Sequence, residues 1–213
     1  HNLWISTPKG IARIIVNYHD ESDIVSLNVK NYDQLDGLQA GEFNENAAYK
    51  TSRGELIFGG AKGFNIFSPS TISTNEMSPA VVLTNFQVFN KNVRAGETSG
   101  NRMILEKAIS ETKEITLSHS DNVIALEFAA LNFANTEKNK YAYILEGFDK
   151  AWSATDAKIR KATYTNLDPG NYTFRVKATN EDGIGNHEGV TLKITVLPPF
   201  WKTTWAYILY TLL

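Results

Sequence analysis

The residues of this chain that could do chemistry are few, and their spacing gives them little to do. Four histidines, His1, His19, His119 and His187, are scattered along 213 residues with no metal-ligand spacing. There is no cysteine, which excludes disulfides, thiolate nucleophiles and cysteine-zinc sites and leaves the compartment open. Glu146 and Asp149 come nearest to an acid/base pair. Nothing around them suggests the burial that shifts a pKa, so a solvated strand end is the plainer reading. Asp33, Asp36 and Gly37 have the residue types of a calcium loop but not EF-hand spacing. Asn171-Tyr172-Thr173 fits a glycosylation sequon. No Ser-His-Asp set, phosphate loop or zinc motif is visible. The sequence makes no positive case for an enzyme, a cofactor or a metal ion.

Composition narrows the classes further. A net charge of −2 and a pI near 6.1, with no run of five basic residues, argue against a nucleic-acid partner. A hydrophobic content of 42% is enough for a packed core. The chain opens His1-Asn2-Leu3-Trp4 with no initiator Met or signal peptide, and is expected to be part of something longer.

Residues 1–70 look like repeat units. Leu3-Trp4-Ile5 leads through a Pro/Gly turn to Gly10-Ile11-Ala12-Arg13, and Leu56-Ile57-Phe58 leads to Gly63-Phe64-Asn65-Ile66. Aligning Leu3 with Leu56 sets Gly10 opposite Gly63, a 53-residue period compatible with propeller blades. Ile24–Val29 fits an outer blade strand. Such hairpins fit an ordinary sandwich as well. Residues 71–79, in a Ser/Thr/Pro-rich stretch, read as a linker.

Residues 80–199 read as an antiparallel sandwich. Tyr172, Phe174, Val176 and Ala178 alternate with Thr173, Arg175, Lys177 and Thr179. Leu192, Ile194 and Val196 alternate with Lys193 and Thr195 in the same way. Period two marks strands with one buried face. Pro169-Gly170-Asn171-Tyr172 sits where a tyrosine corner belongs, with the Tyr172 hydroxyl expected on a backbone carbonyl near Leu167 or Asp168. Trp152 is expected as a large core plug. Core packing is the plain reading of these aromatics, and a sugar-stacking surface the sharper one. Residues 200–213 hold one charge, Lys202, and are otherwise apolar apart from three Thr. Thirteen residues from Trp201 are short of the roughly 20 that span a bilayer. Trp201, Lys202 and Trp205 have the types of an interfacial anchor ahead of a span. An amphipathic packing helix is the alternative.

Together these residues resemble the end of the periplasmic sensor of bacterial hybrid two-component systems. Leu3-Trp4-Ile5-Ser6-Thr7, Gly10-Ile11-Ala12-Arg13, Leu35-Asp36-Gly37-Leu38 and Gly54–Pro69 resemble the regulator-propeller repeat, about one and a half blades of it. Tyr141–Tyr172 resembles the Y_Y_Y domain, with Tyr143, Tyr164 and Tyr172 as best matches to its name, and Pro198-Pro199-Phe200-Trp201 resembles the join to a membrane helix. Gly185 departs from the pattern, standing where a Trp is expected after Asp182-Gly183-Ile184. The fold implied is all-β: partial propeller blades, a fibronectin/immunoglobulin-like sandwich and the start of a transmembrane helix.

The resemblance implies a non-catalytic segment of a sensor histidine kinase. It implies a place on the periplasmic side of the inner membrane, anchored by a single span. The partners implied are a second copy in a homodimer, an oligosaccharide held mainly on propeller outside this chain, and the membrane. The output implied is transcription of polysaccharide-utilisation genes. An accessory sandwich of an exported carbohydrate-active enzyme, or an adhesion or scaffold module, are the rival readings.

Overall fold

The computed structural model describes residues 2–19, 22–99, 102–202, 206 and 208. The chain divides into two compact units, His1–Glu76 and Met77–Leu213.

The N-terminal unit holds two three-stranded antiparallel sheets, each a chain-order meander. Strands β1 (Asn2–Thr7), β2 (Gly10–His19) and β3 (Ser22–Tyr32) form the first. Strands β4 (Phe43–Lys50), β5 (Leu56–Gly60) and β6 (Gly63–Phe67) form the second. Gly10 and Gly63 open β2 and β6 at positive φ, 147° and 129°, so the residues paired by the 53-residue repeat occupy equivalent hairpin positions. At Gly10 a side chain would also collide with the Tyr32 carbonyl oxygen. The inner faces of the sheets share a small core. Ile11, Phe43 and Phe58 are buried, and Trp4 packs on Tyr32 and Phe67. The outer faces are apolar too. Leu3, Ile14 and Val29 stand side by side across the first sheet, and Tyr49, Ile57 and Ile66 across the second. Leu3, Val29, Tyr49 and Ile66 are exposed there.

The C-terminal unit is a sandwich. Its strands are β7 (Val81–Val88), β8 (Lys91–Asn92), β9 (Thr98–Ser99), β10 (Arg102–Met103), β11 (Glu114–Leu117), β12 (Val123–Ala130), β13 (Lys140–Glu146), β14 (Ser153–Asp156), β15 (Lys161–Thr165), β16 (Gly170–Thr179) and β17 (Val190–Val196). One sheet has the order β15-β12-β7-β8 and the other β11-β17-β16-β13-β14, with β9 and β10 as a small separate ribbon. Inward residues of both sheets form one core. It includes Phe86, Phe128, Leu145, Phe174, Leu192 and Ile194. Period-two alternation puts Phe174, Val176 and Ala178 inside, as the sequence predicts, and leaves Arg175 and Lys177 facing outward.

Trp152 does not plug this core; its expected role is corrected by the register. Tyr143 pairs with Ser153 and packs on the core, so Trp152, one residue earlier, points to the outer face. There it is 41% exposed, with the Lys177 ammonium 4.4 Å from its ring centre.

The expected membrane span falls mostly outside the described residues, Trp205 included. Phe200–Lys202 form a single 3-10 turn, and among the described residues no helix is long and apolar enough to cross a membrane.

Candidate functional site

The last strand and its exit are held on both edges of the strand. β17 lies inside its sheet, antiparallel to β16 on one side and parallel to β11 on the other. Both pairings run to its end, where Val196 faces Gly170 and Leu117. The ladder continues one residue further, because the Leu197 amide donates to the Leu117 carbonyl at 2.9 Å. Pro199 is buried, the Lys202 amide donates to its carbonyl, and Trp201 meets the His119 ring edge-on at 5.3 Å. The loop carrying His119 is itself held. Asp121 accepts from the Ser118 amide at 2.8 Å and from the Arg102 guanidinium. Displacement of the sandwich must therefore move the chain that leaves it. Freeing β17 would break backbone hydrogen bonds on both edges, against a net worth of about 1 kcal/mol each.

Two tyrosines and a carboxylate set the adjoining loops. Tyr172 donates to the Asp168 carbonyl at 2.9 Å, which is the corner expected from Pro169-Gly170-Asn171-Tyr172. Its ring lies against Gly147, at φ 93°, and against Gly170. Tyr164 is buried, edge-on to Phe174 and Phe148, and donates to Asp149 Oδ2 at 3.0 Å. Burial chiefly, then the hydrogen bond to Asp149 and its charge, push the Tyr164 pKa well above the ordinary phenol value. Tyr143 packs on Phe128 and Phe174. Tyr143 and Tyr164 therefore share the core around Phe174, whereas Tyr172 stands at the corner and Trp152 on the outer face.

The carboxylates that invited chemistry are used structurally. Asp149 also accepts the Leu145 amide at 2.7 Å, closing the turn after β13, while Glu146 pairs with Arg175 at 3.1 Å. Sequence reasoning set Asp149 aside as solvated. Its position after Gly147-Phe148 at a strand end was the available signal for a turn lock. Asp33 and Asp36 cap a 3-10 turn, Gln34–Asp36, each accepting a backbone amide at 2.9 Å, and Gly37 ends it at φ 89°.

Of two clefts in the N-terminal unit, the smaller is lined by Asp33 and Glu42 among others, and that of about 630 Å³ by Trp4, Tyr49, Lys50, Arg53 and Ser70 among others. None of the larger cleft's lining residues is Asp or Glu. That cleft therefore lacks the carboxylate pair that glycoside hydrolysis needs. The Trp4 ring packs against Tyr32 and Phe67.

Comparison with known proteins extends these observations. Residues 132–197 match the Y_Y_Y domain family. Over 211 residues, 99% of this chain, the sequence is 37% identical to Histidine kinase P4 of Formosa agariphila, and spans 14% of that protein. Among solved structures, the fold is similar to the extracellular domain of the hybrid two component system BT3049 of B. thetaiotaomicron. That match has a TM-score of 0.70 and 26% identity, and covers 92% of this chain and 25% of that one. It is also similar to the extracellular domain of BT4673 of B. thetaiotaomicron, with a TM-score of 0.52 and 25% identity over 94% of this chain and 24% of that one. These likenesses support an extracytoplasmic location. Residues 132–197 are a Y_Y_Y domain, and the chain is a segment homologous to part of the extracellular sensor region of histidine-kinase two-component systems.

Proposed function

We propose that this chain is the membrane-proximal part of a carbohydrate-responsive two-component sensor. It relays ligand binding through the membrane to a histidine kinase and a transcriptional output, without catalysis of its own. In this reading residues 1–70 close a regulator propeller and 71–79 link it to the sandwich of residues 80–199. Residues 200–213 begin a single span of the bacterial inner membrane. The oligosaccharide binds mainly on propeller outside this chain, and the sensor works as a homodimer.

The observation that carries the relay is the double-edged hold on β17. A strand paired on both sides to its last residue, with a buried Pro199 beyond it, passes on rotation or translation of the sandwich as a body. The apolar outer faces of both N-terminal sheets support the propeller part, since stacked blades bury such faces. Carbohydrate as the stimulus rests on the family resemblance.

The test is an insertion of several Gly/Ser residues between Val196 and Pro198 in the intact receptor. The relay requires oligosaccharide binding to persist while kinase output no longer responds. A full response in the inserted receptor would make the sandwich a passive tether and reject the relay.

A further inference from the structure

We propose that the end of the sandwich from which the chain leaves docks on the lipid bilayer surface through the β7–β8 and β13–β14 loops. This rests on the membrane-proximal reading and adds a folded contact to the expected span. Strand directions define the end. Val196, Leu117, Glu146, Thr165 and Val88 finish there, and Gly170, Val123 and Ser153 begin there. The β7–β8 turn is tied to the start of β12, as the Phe89 amide donates to the Val123 carbonyl, and the β15–β16 loop to the residue before β12, as the Leu167 amide donates to the Asn122 carbonyl.

This end displays large, partly exposed apolar side chains, of which Phe148 also packs its ring edge-on to Tyr164. Phe89 is 50% exposed and Phe148 46%, and Leu197, Phe200 and Trp201 are exposed beside the exit. Phe89 is the most telling. Val88 pairs with Lys91, so Phe89 and Asn90 are the two turn residues of a hairpin, at φ 50° and 59°. Turns of this kind favour Asn and Gly, and a bulky side chain at positive φ is sterically disfavoured. Half-exposed burial inside the sandwich does not offset that strain, whereas a partner outside it does.

Three observations point to a bilayer as that partner. The polypeptide leaves at this same end into Trp201–Leu213, which carries one charge in thirteen residues. Phe and Trp flanked by Lys is the side-chain pattern of the membrane interface. Lys91, Lys150 and Lys202 stand exposed among the aromatics, suited to anionic headgroups.

The absence of native cysteine allows single labels. In the 213-residue chain, Phe89→Cys, Phe148→Cys and Ile208→Cys carry an environment-sensitive fluorophore, and vesicles of phosphatidylcholine and phosphatidylglycerol contain a doxyl-lipid quencher. Lys150→Cys replaces Phe148→Cys if the latter loses its near-ultraviolet dichroism. Phe133→Cys, at the opposite end and 84% exposed in the native chain, is the control. The expected result is a blue shift and at least twofold quenching at 89, 148 and 208, with none at 133. Quenching at 208 alone would overturn the proposal while the membrane-proximal reading stands. Quenching at none of the sites would overturn both. A blue shift that follows protein concentration instead of lipid would assign this face to a second copy and also overturn the proposal.

Discussion

The two units of this chain are built from the same material, short antiparallel strands, yet they stand differently as folds. The sandwich turns its inward residues onto one continuous core. The N-terminal unit centres on Ile11, Phe43 and Phe58 and leaves apolar side chains on the outside of both its sheets. Arg13 Nε and Tyr32 Oη, the buried polar atoms without a hydrogen-bond partner among the described residues, are both in that unit. The difference is one of core: a sandwich around one continuous core can move as a body, whereas sheets with so small a core gain stability by packing against further sheets.

The largest expected effect tests that contrast directly. Phe174 is fully buried against Phe128, Tyr143 and Tyr164, so Phe174→Ala should cost the sandwich about 3–5 kcal/mol, read as a lower urea midpoint. Phe58→Ala should leave the sandwich transition where it is. If Phe58→Ala lowered that transition as much, the two units would share one cooperative fold and the contrast would fail.

A smaller effect sharpens the account of the loops. Tyr164→Phe removes a hydrogen bond to a carboxylate, worth about 1.5–3 kcal/mol. The pH dependence has a definite sign. The folded-state pKa of Tyr164 is raised above the ordinary phenol value of 10.0, so the folded state holds the proton more tightly than the unfolded one. That contribution is fully present below pH 10 and is lost as pH rises beyond it. Urea midpoints taken above pH 10 should fall for the native sequence and fall less steeply for Tyr164→Phe. The slope will not vanish, because Tyr172 is also shifted upward, chiefly by burial. Equal slopes would remove the buried-phenol account.

Below these come the corner and the outer face. Tyr172→Phe should cost about 0.5–1.5 kcal/mol, the range of a neutral hydrogen bond. Trp152→Ala should stay within about 0.5 kcal/mol, as expected for a surface position. A loss from Trp152→Ala as large as that from Phe174→Ala would restore it to the core.

What could be read from the sequence was what depends on near neighbours along the chain. The alternation from Tyr172 to Ala178 and the Pro169-Gly170 corner predict burial and a hydroxyl bond, and the structure has both, with Tyr172 itself only half-buried because its ring covers Gly147 and Gly170 at the surface. What was not legible depends on pairing across the chain. Trp152 is large and apolar, but its side follows from the β13–β14 register, which composition does not specify. Strand β7 shifts register opposite Glu127 and Phe128, so Val81 and Leu83 point inward and then Phe86, which no strict period-two pattern predicts. The parallel β11–β17 pairing joins residues about 80 apart. Gly185, where a Trp is expected by resemblance, bridges Thr179, and a Cβ there would press on the Thr179 methyl at 2.8 Å. The loop between β16 and β17 turns through that close approach.

The central claim is that the sandwich holds its last strand rigidly through to the exit. Native-state hydrogen exchange of the amides of Lys193 and Leu197, which donate to Lys113 and Leu117, tests it directly. The account predicts that both exchange only through global unfolding of the sandwich, with the same free energy as amides of the central strand β16, while amides of β5 in the N-terminal unit open more easily. Exchange of Leu197 by local fraying, orders of magnitude faster than β16 under the same conditions, would contradict it, because a frayed exit cannot pass a displacement on.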